Sequence, residues 1–225
     1  MTSLTRESIR DGVIQRTLEE SGVTLLTESE LAAVRGRVFA QHPAGTDMWV
    51  FGYGSLIWNP AFHYVERRMG VIRGYHRRFC LWTHLGRGSP ENPGLTLGLE
   101  TGGVCRGVAY RIAAECVHEE ITILFRREML TGAYVPTWVD VATVEGKVRG
   151  LTFVINKRFE RYAGRLTEAQ IVQSIATATG RFGPCSDYLF NTVQHLEELG
   201  IVDRNMERLK RKVEERCREI SGHAP

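Results

Sequence analysis

The chain has 225 residues, of which 43% are hydrophobic and 24% charged, with a net charge of +3. That length suits one large domain, or one domain with appendages. A charge so near balance does not argue for a nucleic-acid partner and suits a small anionic substrate at least as well. No apolar run is long enough to cross a bilayer, so membrane insertion is not expected. The stretch from Met1 to Glu20 carries acidic residues throughout and no compact apolar core, unlike a secretory signal or a transit peptide. The cysteines, Cys80, Cys105, Cys116, Cys185 and Cys217, are odd in number and far apart. Neither a disulfide framework nor a zinc site is expected, and a reducing cytoplasm is the default compartment.

In chain order, residues 1–46 read as a helical, polar extension. Ile9, Val13 and Leu18 share roughly one face, and Thr27 with Glu30 has the spacing of a capping box ahead of Leu31, Val34 and Val38. A packing arm against the main body is the plain reading, since nothing in it carries chemistry. The break at His42–Gly45 separates it from residues 47–225, read as the functional domain. There the aromatic, β-branched run Trp49–Phe51 enters a glycine-punctuated turn, Gly52–Leu56. Strands are expected at Gly70–Ile72, Phe79–His84, Leu95–Leu99 and Gly107–Ile112, with a loop over Gly86–Gly94. A helix is expected over 117–131, then strands at Thr137–Thr143 and Arg149–Ile155. The last third is helical. Thr167 and Gln170 make a capping box, Ser186 is the expected cap of the next helix and Asp203 that of the last. Strands in succession and then helices predict an α+β fold with a curled, largely antiparallel sheet.

Four features could carry chemistry. Glycines on both sides of Tyr53 allow a sharp bend after a strand, where successive N–H groups can converge on an anion; a plain turn remains open. Neither a P-loop nor a dinucleotide fingerprint is matched. Glu128 falls on one helical face with Val117, Ile121 and Leu124. Burial there would raise its pKa and suit it to proton transfer, whereas a salt bridge to Arg126 or Arg127, or a carboxylate at a frayed helix end, is the structural alternative. Alternation along a strand sends Arg77 and Arg78 to opposite faces, so one could hold a carboxylate or both could be surface residues. Tyr188, in a first helical turn, could reach a cleft or pack in the core. No HxxxH pair and no GxSxG elbow is present. The basic residues of the last helix alternate with acids and read as a solvated face.

Five segments in order, Trp49–Trp58, Arg77–Phe79, Gly107–Arg111, Arg126–Tyr134 and Gly183–Phe190, resemble the ChaC family in its bacterial branch. These are glutathione-specific γ-glutamylcyclotransferases that have also been called cation transport regulators. The likeness runs from Trp49 to Leu209. It implies a γ-glutamylcyclotransferase-like fold, a small β-barrel surrounded by helices. It implies a lyase that releases 5-oxoproline and needs no cofactor, metal or nucleotide. Glu128 takes the position of the family acid/base. Tyr53, Gly54, Ser55 and Leu56 take that of the anion-binding loop. Arg78 is assigned to the substrate carboxylate and Tyr188 to the family tyrosine. Activity on other γ-glutamyl amides and a non-catalytic role in cation transport are the alternatives, and the sequence does not give the oligomeric state.

Overall fold

The computed structural model describes residues 5–222. They fall into two compact units, one of residues 5–76 and Leu99–Phe159, the other of Arg77–Gly98 and 160–222.

The first unit holds most of a closed barrel, whose strand residues 77–83 and 94–98 belong to the second unit. Its strands are β1 (Met48–Gly52), β2 (Glu66–Thr83), β3 (Gly94–Ile112), β4 (Tyr134–Thr143) and β5 (Gly146–Ile155), in the order β1-β3-β2-β4-β5. β1 runs antiparallel to β3, with Met48 opposite Ile112 and Gly52 opposite Val108. It closes the circle by pairing parallel with β5, Val50 beside Leu151. Closure removes exposed sheet edges, and Val50, Ile72, Ala109, Val141 and Leu151 are fully buried. The α+β barrel expected from the sequence is therefore present. The expected short strands 70–72 and 79–84 are parts of one strand, β2, and 95–99 and 107–112 are parts of β3. Polar residues such as Arg73 and His76 interrupt the apolar pattern but not the strand.

Barrel closure depends on glycine. A Cβ at Gly107 would stand 2.2 Å from the Gly52 carbonyl oxygen and 2.8 Å from Phe51 Cζ. The obstacle is partly backbone, which cannot rotate away. Gly107→Ala is expected to cost about 1–3 kcal/mol, as overpacking does. It would be measured as a lower urea midpoint at unchanged slope. An unaltered midpoint would mean that the β1–β3 contact yields to a methyl group at no cost.

Helices α1 (Arg6–Arg10), α2 (Val13–Glu20) and α3 (Glu28–Phe39) belong to the barrel's compact unit. The Thr27–Glu30 capping box forms as expected, with both reciprocal bonds present. Helix α4 (Val117–Glu128) buries Val117, Ile121 and Leu124, and its Phe125 meets Phe153 of β5 edge-on at 6.1 Å. It ends at Glu128, short of the expected residue 131. Met129 caps it, and Gly132, at φ +73°, turns the chain with its N–H on Met129 O.

The second unit holds α5 (Glu168–Thr177), the short strands β6 (Thr179–Gly180) and β7 (Gly183–Pro184), α6 (Cys185–Glu198) and α7 (Arg204–Gly222). Thr167 caps α5 in a capping box with Gln170. Asp203 caps α7 by accepting Met206 N–H. Ser186 is not the cap of α6. The Cys185 amide is taken by Ala178 O at 2.9 Å, and the helix begins two residues earlier than a Ser186 cap would set, behind Pro184.

Candidate active site

The site is best built from the turn after β1. A Cβ on Gly52 would approach Leu56 Cβ to 3.0 Å, so the chain can fold back on itself there because no side chain intervenes. Ser55–Ile57 then form a single 3-10 turn. Its carbonyls are all engaged. Thr152 Oγ1 donates to Phe51 O at 2.9 Å. The Ile57 and Asn59 amides donate to Gly54 O and Ser55 O. The Tyr110 hydroxyl donates to Leu56 O at 3.0 Å and to Ile57 O at 3.1 Å. Burial pushes the Tyr110 phenol well above its usual pKa and keeps it a donor. A turn of this shape can point successive N–H groups at an anion. Tyr53 contributes differently from Ser55: its hydroxyl donates to Phe153 O at 2.9 Å, anchoring the turn to β5.

Glu128 is the last residue of α4, and its side chain keeps 15% of its surface exposed. The packing around it is nonetheless dense. Desolvation pushes its pKa above the ordinary carboxylate value, while the charge and hydrogen bond of Arg127 pull it back. The expected salt bridge exists, with Arg127 Nε 3.0 Å from Glu128 Oε1. It coexists with the raised pKa. The same guanidinium reaches the turn: Nη2 donates to Ser55 Oγ at 2.9 Å, and Nη1 donates to Asn59 O and Pro60 O. Glu128 and Ser55 are thus two ends of one hydrogen-bonded chain through Arg127.

Arg127 is expected from the sequence only as a counter-ion, and Tyr110 and Glu120 are absent from the expected site. Glu120 sits between Val117 and Leu124 on the helical repeat and is 1% exposed, more buried than Glu128. Its carboxylate meets Arg6 Nη2 at 2.6 Å and accepts the His63 N–H at 3.0 Å. Helical periodicity was the signal that could have found it.

Arg78 and Tyr188 belong to the other compact unit. Of the arginine pair, Arg77 is the deeply buried member, 3% exposed and ion-paired with Asp203 at 3.3 Å. Arg78 is half-buried. Tyr188 is buried in the first turns of α6, its ring edge-on to Phe79 at 5.9 Å. Among the described residues, no group of His, Cys, Asp and Glu side chains is placed to hold a metal. No helix among them is long and apolar enough to cross a membrane.

The closed barrel flanked by helices is a γ-glutamylcyclotransferase-like fold. The crystal structure of a glutathione-specific γ-glutamyl cyclotransferase from yeast superposes with a TM-score of 0.69 at 24% identity, over 76% of this chain and 96% of that one. The family model described as ChaC-like protein matches residues 48–216, and the chain belongs to that family. It is 39% identical, over 83% of its length and 80% of the relative's, to the glutathione-specific γ-glutamylcyclotransferase of Escherichia coli K12. It is 35% identical, over 74% and 88%, to γ-glutamylcyclotransferase 2-3 of Arabidopsis thaliana.

Proposed function

We propose that the protein is a γ-glutamylcyclotransferase that cleaves glutathione to 5-oxoproline and Cys-Gly. The observation carrying this reading is the juxtaposition of a desolvated carboxylate, Glu128, with the Gly52–Leu56 turn, the two sharing Arg127. The relatives' names supply the substrate. On this reading residues 47–225 are the catalytic domain and residues 1–46 a helical extension. All five cysteines are free thiols, which suits a reducing compartment such as the cytoplasm.

The chemistry is intramolecular. The α-amine of the γ-glutamyl group attacks its own γ-carbonyl, a five-membered lactam forms, and the bond to the cysteinyl nitrogen breaks. Because nucleophile and electrophile share one molecule, the entropy of bringing them together is largely absent and positioning is the enzyme's task. Glu128 takes a proton from the α-ammonium to free its lone pair. Both protons that the attacking nitrogen sheds end on the departing nitrogen, with Glu128 as the relay. The amides of residues 53–56 and the Ser55 hydroxyl stabilise the tetrahedral oxyanion. Arg78 and Tyr188 enter as substrate-binding residues on the motif resemblance.

Purified protein incubated with reduced glutathione is expected to release 5-oxoproline and Cys-Gly in equal amounts. Faster release from γ-Glu-Ala than from glutathione would shift the reading to other γ-glutamyl amides, the broader class in the Arabidopsis relative's name. Absence of 5-oxoproline from both would leave a non-catalytic role, such as regulation of cation transport.

A further inference from the structure

We propose that Arg127 is the positioning residue of this site, coupling the Glu128 base to the oxyanion turn through one buried guanidinium. The proposal rests on the cyclotransferase reading above and adds a residue to it.

Neighbouring residues on a helix point away from each other, so a 127–128 ion pair needs a special arrangement. Here the pair forms where α4 ends, and the Arg127 side chain is held at 7% exposure with each of its three nitrogens engaged. Nε faces Glu128 Oε1, Nη1 holds the Asn59 and Pro60 carbonyls, and Nη2 holds Ser55 Oγ. A planar fork of fixed geometry ties these groups into one body, as a lysine ammonium could not. Arg126, one residue earlier, shows the contrast. Its guanidinium donates to Arg10 O and takes no part in the turn.

Two consequences follow from the bonding. Ser55 Oγ accepts from Arg127, so its own hydroxyl proton is left to donate toward the substrate oxygen, and the arginine sharpens Ser55 as an oxyanion donor. The positive charge beside a desolvated carboxylate also favours its ionised form, the form that can act as a base. Arg127 acts on Glu128 through both its charge and its hydrogen bond. The turn at the other end brings the neutral Ser55 hydroxyl.

The test is the pH dependence of kcat for glutathione in the wild type, Arg127→Gln and Arg127→Lys, each checked for folding by circular dichroism. In Arg127→Gln, loss of the charge is expected to move the acid limb of the profile to higher pH. The plateau should fall at least ~10-fold through lost registration. Arg127→Lys is expected to keep the limb near its wild-type position, because the charge remains, while the plateau still falls. A folded Arg127→Gln protein with an unmoved limb overturns the proposal and leaves the cyclotransferase reading intact. If that variant does not fold, Arg127→Lys decides: full wild-type kcat overturns the proposal, and a lowered plateau with an unmoved limb supports it. A wild type releasing no 5-oxoproline overturns both readings.

Discussion

Glu128→Gln is expected to yield a folded protein whose turnover of glutathione is lower by about 10²- to 10⁴-fold, the span that one general acid–base group contributes. The upper part of that range is the more natural expectation, because in the proposed mechanism one residue serves both as base for the attacking amine and as acid for the departing one. Folding should survive. Glutamine has the same shape, its Oε1 can accept from Arg127 Nε, and Arg127 keeps Ser55, Asn59 and Pro60 as partners. A pH signature accompanies the change. Burial raises the Glu128 pKa in the folded state, so the fold favours the protonated carboxyl. That contribution to stability is fully present below the unfolded-state pKa and is lost as pH rises through the raised folded one. Wild-type stability should therefore decline over that window relative to the variant, which has nothing to titrate there. Single-turnover release of 5-oxoproline, with urea melts at several pH values, measures both effects. A fully active Glu128→Gln protein would remove Glu128 from the reaction.

Much of this site was legible because its parts are local. The turn announces itself through Gly52 and Gly54, and Glu128 through its phase on α4. The same holds for helix starts: the Thr27, Thr167 and Asp203 caps depend on bonds spanning three residues and were read directly. What escaped were interactions between positions far apart in sequence. Arg127 binds Ser55 across 72 residues and Tyr110 binds Leu56 across 54, and no spacing rule encodes either. Strand alternation correctly split Arg77 from Arg78. It could not say which side carried Asp203, and the buried member is Arg77 rather than the residue assigned to substrate. Ser186 looked like a cap because its side chain can be one. The helix start was decided instead by the tertiary bond from Cys185 to Ala178.

The second large effect concerns stability and tests whether the N-terminal helices belong to the fold. Arg6→Met is expected to destabilise the protein by about 3 kcal/mol, the low end for stripping one partner from a buried ion pair. The cost arises on Glu120, which is 1% exposed and would lose the 2.6 Å contact with the Arg6 guanidinium. It is held to the low end because the His63 N–H still donates to the carboxylate at 3.0 Å. Glu119, the other Arg6 partner, is 63% exposed and should contribute little. Adding Glu120→Gln should recover part of the loss, since the stranded charge is then gone. The double-mutant cycle would accordingly show coupling between the two positions. The helix at stake carries Glu128. The arm holds α4 near its start through Arg6, farther along through Arg126 to Arg10 O at 2.8 Å, and just beyond its end through Leu26 N–H to Leu130 O at 2.7 Å. If Arg6→Met melts with the wild type, the extension is a passenger on α4. A loss of the expected size makes it part of the scaffold that sets where Glu128 stands.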